Sequence, residues 1–330
     1  MIDETRKAIQ WGRSKTLVVS LPRRWIKKYA IEPDSQLRIQ EETEGSLRIT
    51  PLQISEIPYE KMATIRLLEQ DETTLTTILE TYYIVGYDQL TIESSRRFNE
   101  PVRKILNKIV NQLPGYEILE TTERRIVIKG VSAIRGQDIM EFVKMSSRTT
   151  IELIEKLITG LQAGPDLTEQ VANELIEDSW RQRGNYLRAQ RALRKAMSVR
   201  PQGLKLDTAD IFDTAYFVLQ LSNIHENTQH IAEALTRRQP PDDQAKLAVA
   251  ALTKVCDNFK KAISAFLQRN QATVRQVLGE IPLLRQWKRQ TETIVDVMED
   301  SVITQIILDR MEEMLAYNSG IAKTALLLKT

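Results

Sequence analysis

The side chains in this sequence that could do chemistry are mostly cations. Residues 1–28 carry eight basic side chains (Arg6, Lys7, Arg13, Lys15, Arg23, Arg24, Lys27 and Lys28) against two acidic ones, Asp3 and Glu4. That is a local net of +6 in a chain whose total is +2. Such an asymmetry at one end points to a polyanionic partner. A second cationic stretch lies between Asp178 and Asp207. It has no acidic residue, but it holds Arg181, Arg183, Arg188, Arg191, Arg194, Lys195, Arg200 and Lys205. Arg181, Arg188, Arg191 and Lys195 are spaced 7, 3 and 4, so on a helix they share one side. Like charges at that spacing repel and find no partner within their own helix. Either acids of neighbouring helices such as Asp296, Glu299 or Asp300 neutralise the stripe, or it is a second face for an anion or an acidic partner. Sequence alone leaves both open.

The groups that usually carry catalysis are scarce. The single cysteine, Cys256, falls at helical spacing with Leu252, Val255 and Phe259 and reads as a core residue. There are two histidines, His225 and His230, and no Gly-rich phosphate loop, G-x-S-x-G elbow or H-E-x-x-H. The expectation is a non-enzymatic protein without a cofactor. No apolar run reaches the roughly 18 residues of a membrane span, and no apolar leader follows the first residues, so a cytoplasmic protein without membrane insertion is expected. At 330 residues there is room for two or three domains.

The elements that would position these cations can be read in three blocks. In residues 1–54, Thr16, Val18 and Ser20 alternate with Leu17, Val19 and Leu21, the period of a half-buried strand. Pro22 suits a helix N-terminus. Trp25, Ile26 and Tyr29 then fall at helical spacing and leave Arg23, Arg24, Lys27 and Lys28 mostly outward. Ile31-Glu-Pro-Asp-Ser35 reads as a turn, and Gly45-Ser46 as the tip of a hairpin between 37–42 and 47–50. Fifty residues bury too little apolar surface to be stable alone.

Residues 55–132 read as a small β-α-β-α-β-β module. Asp71 caps a helix over 72–85, Gly86 stops it, and Pro114-Gly115 ends a second helix that begins near Glu100. A spacer, a dimer contact and a sensor are all compatible with it. Residues 133–330 read as six long helices. Their breaks fall at Gly164-Pro165, Pro201–Gly203 and Pro240-Pro241, and a seam of Ile307, Met314, Ile321 and Leu328 runs along the last helix. The fold class expected is therefore multidomain α+β.

Two resemblances sharpen this reading. The order basic strand, Gly/Ser turn, strand ending Ser20-Leu-Pro22, short basic helix, Pro-Asp turn and final hairpin resembles the AbrB/SpoVT/MazE family of swapped-hairpin DNA-binding domains. That resemblance implies a homodimer in which hairpins of two chains interleave into one β-barrel on duplex DNA. Lys7, Arg13, Lys15, Arg23, Arg24, Lys27 and Lys28 are then the candidate DNA contacts. In the helical block, Ser222–Ala234 lines up with Glu312–Thr324 at an offset of 90 residues. The segment around Ile224–Glu233 resembles the E-R-I-x-D-H-A-x-x-I-A-E signature of PhoU, the phosphate-uptake regulator. A swapped-hairpin N-terminus on a PhoU-like six-helix bundle of two three-helix repeats is the arrangement of the archaeal PhoU-type regulators. The partner this implies is a phosphate-transporter ATPase or its signalling kinase.

The chain departs from that family at its E(D)-x-x-x-D motifs, which can hold metal clusters. The first copy, Ser222–Glu226, keeps only the downstream acid, and the second, Glu312–Ala316, keeps only the upstream one. Glu226, His230 and Glu233 share a helix face and offer at most a reduced site, so no metal is expected. The reading is a DNA-binding regulator of the PhoU type. The competing readings are an interaction module whose N-terminal barrel only dimerises, and a toxin–antitoxin type antidote, which the large helical half disfavours.

Overall fold

The computed structural model describes residues 4–12, 15–41, 45–52, 60–67, 71–130, 139–198 and 206–327, with the backbone alone for 180–182 and 198. The sequence-derived boundaries at 54 and 132 lie outside these residues. Met1–Glu60 and Lys61–Thr330 form two compact units.

In the first unit, β1 (Ile9–Gln10) pairs antiparallel with β2 (Leu17–Val18). Gly12, at φ 66°, supplies the left-handed residue of the connecting turn. Helix α1 (Arg23–Lys28) starts on Pro22, whose carbonyl accepts from Trp25 and Ile26. It closes by a paired C-terminal motif, with the Ile31 N–H donating to Ile26 and the Ala30 N–H to Lys27. Ala30 takes the left-handed position usually given to glycine, at φ 47°. The second hairpin joins β3 (Leu37–Glu41) to β4 (Leu47–Pro51). Its register, Leu37 opposite Pro51 and Ile39 opposite Ile49, gathers Leu37, Ile39, Leu47, Ile49 and Pro51 on one face. Arg38, Gln40, Arg48 and Thr50 share the other.

The two ribbons are separate two-stranded sheets, so the strands of one chain do not close the expected barrel. The expected strand over 16–21 shortens to Leu17–Val18 for the same reason: β1 offers it only two residues to pair with.

The second unit opens with the predicted order of strands and helices: β5 (Met62–Leu67), α2 (Glu72–Val85), β6 (Gln89–Ser94), α3 (Glu100–Gln112), β7 (Tyr116–Thr121) and β8 (Arg125–Gly130). The sheet order is β5-β6-β8-β7, with β5 parallel to β6 and the other pairs antiparallel. Asp71 caps α2 through the Thr74 N–H at 2.9 Å, Gly86 ends it at φ 91°, and Asn99 caps α3. Leu90, Ile92, Ile126 and Ile128 share a sheet face and pack with Leu75, Leu79, Leu106 and Ile109 of the two helices.

Six helices follow: α4 (Ile139–Ala163), α5 (Pro165–Ser198), α6 (Thr208–Arg237), α7 (Asp242–Gln268), α8 (Gln271–Val295) and α9 (Val302–Leu327). Asp207 and Asp210 form a reciprocal capping box at the start of α6. Helix α8 ends at Val295, ahead of a turn with Asp300 at φ 61°. One core runs through all six helices. The 90-residue repeat holds in burial, because Leu221 and Met311, Ile224 and Met314, Ile231 and Ile321, and Ala232 and Ala322 are each fully buried. The regions read separately as 55–132 and 133–330 pack as one unit, with Leu187 of α5 entering the core of the α/β module.

Candidate nucleic-acid interface and the cationic helix

Helix α1 has an apolar side of Trp25, Ile26 and Tyr29, with the Trp25 and Tyr29 rings edge-to-face at 5.7 Å. With those residues turned inward, helical geometry places Arg23, Arg24, Lys27 and Lys28 outward, and all four are exposed. Lys7 and Lys15 on the first ribbon are exposed as well, while Arg13 lies outside the described residues. Among the described residues no carboxylate forms an ion pair with Lys7, Lys15, Arg23, Arg24, Lys27 or Lys28; the Lys28 ammonium lies over the Tyr29 ring at 5.1 Å. A surface of unpaired cations raises the local concentration of a polyanion and gains from neutralising phosphates.

The same unit leaves its apolar residues uncovered. Ile9, Trp11, Leu17, Ile39 and Leu47 are each 62–70% exposed, and Pro51 is the one buried residue among those described. Among the described residues each ribbon is a separate two-stranded sheet, a size that is only marginally stable alone.

Of the two readings left open for the stripe on α5, neutralisation by acids of other elements holds at two of its four positions, against the possible anion face. Arg191 is 4% exposed. It donates to the Tyr83 carbonyl at 2.7 Å, the Tyr116 hydroxyl at 3.3 Å and Asp88 Oδ1 at 3.1 Å. Its guanidinium also lies 4.8 Å from the Tyr83 ring and 5.3 Å from the Tyr116 ring. Lys195 reaches the same Asp88 oxygen at 2.7 Å. Arg183 pairs with Glu80 at 2.8 Å. Arg188 is half-buried, and the side chain of Arg181 lies outside the described residues.

The neutralising acids therefore come from the α/β module and not from Asp296, Glu299 or Asp300. Burial holds the Tyr83 hydroxyl pKa up at about 12 and raises that of Tyr116, with Arg191 working against both. The sequence carries a trace of this contact. Gly184 interrupts the cationic run, and a Cβ there would meet Pro114 Cγ at 2.9 Å, so only glycine lets the module approach this closely.

The reduced acid motifs do not converge. His230 Nδ1 lies 3.4 Å from Glu233, Glu233 accepts from Gln229 at 2.9 Å, and Glu226 is exposed. Glu312 pairs with Arg285 at 2.7 Å, and Arg310 bridges Asn227 and Glu313. Among the described residues no group of three or more His, Cys, Asp or Glu side chains is placed to hold a metal ion.

The other histidine sits in the core. The Ser179 hydroxyl donates to Gln229 Oε1 at 2.6 Å, so His225 Nε2–H donates to Ser179 Oγ at 3.0 Å. That leaves Nδ1 as a buried acceptor without a partner. Burial, with help from Arg183, carries the His225 pKa down to about 4, against an opposing hydrogen bond to the Ser179 backbone. Cys256 is buried with its thiol pushed up to about 11, the behaviour of a core residue and not of a nucleophile. Among the described residues no helix is long and apolar enough to cross a membrane.

No protein-family model, curated protein or solved structure matches this chain.

Proposed function

We propose that this protein is a DNA-binding regulator in which the N-terminal units of two copies interleave into one barrel on duplex DNA. The helical unit then docks to a signalling or transport partner. The observation that carries the reading is the co-occurrence, in one small unit, of exposed unpaired cations on α1 and exposed apolar residues on both ribbons. A second copy covers the apolar residues, and phosphates neutralise the cations. The resemblance to PhoU-type regulators supplies the partner class, a phosphate-transporter ATPase or its signalling kinase.

Titration of the full chain against fluorescent duplex DNA at several salt concentrations tests this. Log K is expected to fall linearly with log salt at about −0.9 per phosphate contact. Replacing Arg23, Arg24, Lys27 and Lys28 together by Ala is expected to weaken binding to every sequence while leaving the dimer intact. The exposed ribbon faces alone also suit a module that only dimerises, and a dimer without salt-sensitive DNA affinity is the result that selects that second reading.

A further inference from the structure

The helical unit carries an open groove of about 390 Å³ between α8 and α9, lined by Arg285, Lys288 and Arg289 of α8 and by Glu312 of α9. These charges are not equivalent. Lys288 is buried and already held by Glu292, with Asp309 at 3.9 Å, so it forms a neutralised floor. Arg285 Nε is ion-paired with Glu312 Oε1 at 2.7 Å, off the alignment of a hydrogen bond. Among the described residues no acceptor engages the terminal nitrogens of Arg285, and no carboxylate pairs with the exposed Arg289. Two arginines at i and i+4 on one helix face repel each other unless an anion sits between them. Their forks match the planar pairs of oxygens on phosphate and carboxylate. Glu312 adds a condition, because a carboxylate on the wall repels an anion that brings only acceptors but accepts a hydrogen bond from one that carries its own proton.

The geometry points to a binding site for a protonated phosphate group in this groove, with Arg285 and Arg289 holding its oxygens and Glu312 accepting its P–OH proton. The chemistry is shared by inorganic hydrogen phosphate and a phosphomonoester. The site is independent of the proposed DNA-binding surface.

Calorimetric titration of the full chain at fixed ionic strength, with inorganic phosphate, adenosine monophosphate and sulfate in separate runs, is the test. Saturable binding is expected for phosphate or for the monoester, and whichever binds identifies the source. Sulfate, which lacks the proton, is expected to bind at least about tenfold more weakly. Arg289→Ala, a change at an exposed position, should lower affinity about tenfold or more. Glu312→Gln should leave an anion site that no longer prefers phosphate over sulfate. Absence of saturable binding, equal affinity for sulfate in the unmodified protein, or undiminished binding in Arg289→Ala would overturn the assignment.

Discussion

The two units use the same kinds of apolar residue in opposite ways. In Lys61–Thr330 each described long helix turns an apolar face inward, and side chains such as Leu79, Leu106, Phe217, Phe259 and Ile307 are fully buried. In Met1–Glu60 the ribbon residues Ile9, Leu17, Ile39 and Leu47 lie open. Burying one such side chain contributes about 1.5–3 kcal/mol, so four or five left uncovered are a large fraction of what stabilises a small unit. The contrast supports the proposal that a second copy completes the smaller unit, while the larger unit buries its core within one chain. It also separates two ways of carrying positive charge. On α1 the cations are unpaired and exposed. On α5, Arg183, Arg191 and Lys195 are matched by acids 103 to 107 residues earlier in the chain and hold two layers together.

The sharpest way to break the comparison is at Arg191. Arg191→Ala removes a buried guanidinium that engages Asp88, Tyr83 and Tyr116. Opening a buried pair on one side costs about 3–5 kcal/mol. Denaturant unfolding should show that loss, with the α/β module melting ahead of the helices. An unchanged, single transition would mean the clamp holds nothing together.

A pH titration of stability has the next largest expected effect. Unfolded histidine titrates near 6.5, and the His225 pKa in the fold is about 4. As pH falls from 6.5 to 4 the unfolded chain takes up a proton that the folded chain refuses. Stability is therefore full above pH 6.5 and declines by up to about 3 kcal/mol through that window. The slope attributable to this residue is the difference between the unmodified protein and His225→Gln, measured by unfolding at several pH values. Parallel pH profiles would place the orphan Nδ1 in contact with water and not in a dry core.

Smaller, but aimed at the contrast itself, is Ile39→Ser. A surface change of this kind in a complete unit costs no more than about 0.5 kcal/mol. If a second copy covers the ribbon, the same change costs about 1.5–3 kcal/mol and the cost appears as weaker dimerisation. Sedimentation across a concentration series reads it directly.

Much of this architecture was legible in the sequence, because its signals are local. Asp71, Gly86 and Pro114-Gly115 fix the ends of elements by capping and by left-handed backbone, whatever they pack against. The six helices follow from apolar periodicity and Pro/Gly breaks in the same way. What the sequence hid was long-range pairing. Nothing in the acid-free stretch of α5 names Asp88 and Glu80 as its partners, nor shows that Leu187 packs into the module. Gly184 was the available hint, since a glycine inside a long helix marks a close approach. The expected barrel is not among the described strands, which form two separate ribbons. On the proposed reading a second copy supplies the remaining strands, and in one chain that shows only as exposed apolar residues.

Sedimentation equilibrium of the full chain beside a chain beginning at Lys61 tests the central claim most directly. The full chain is expected to be a dimer. Residues 61–330 are expected to be a folded monomer with the helical content and unfolding midpoint of the parent, and with its salt-sensitive DNA binding lost. A full chain that stays monomeric at high concentration, or a shortened chain that remains dimeric and still binds DNA, would contradict it.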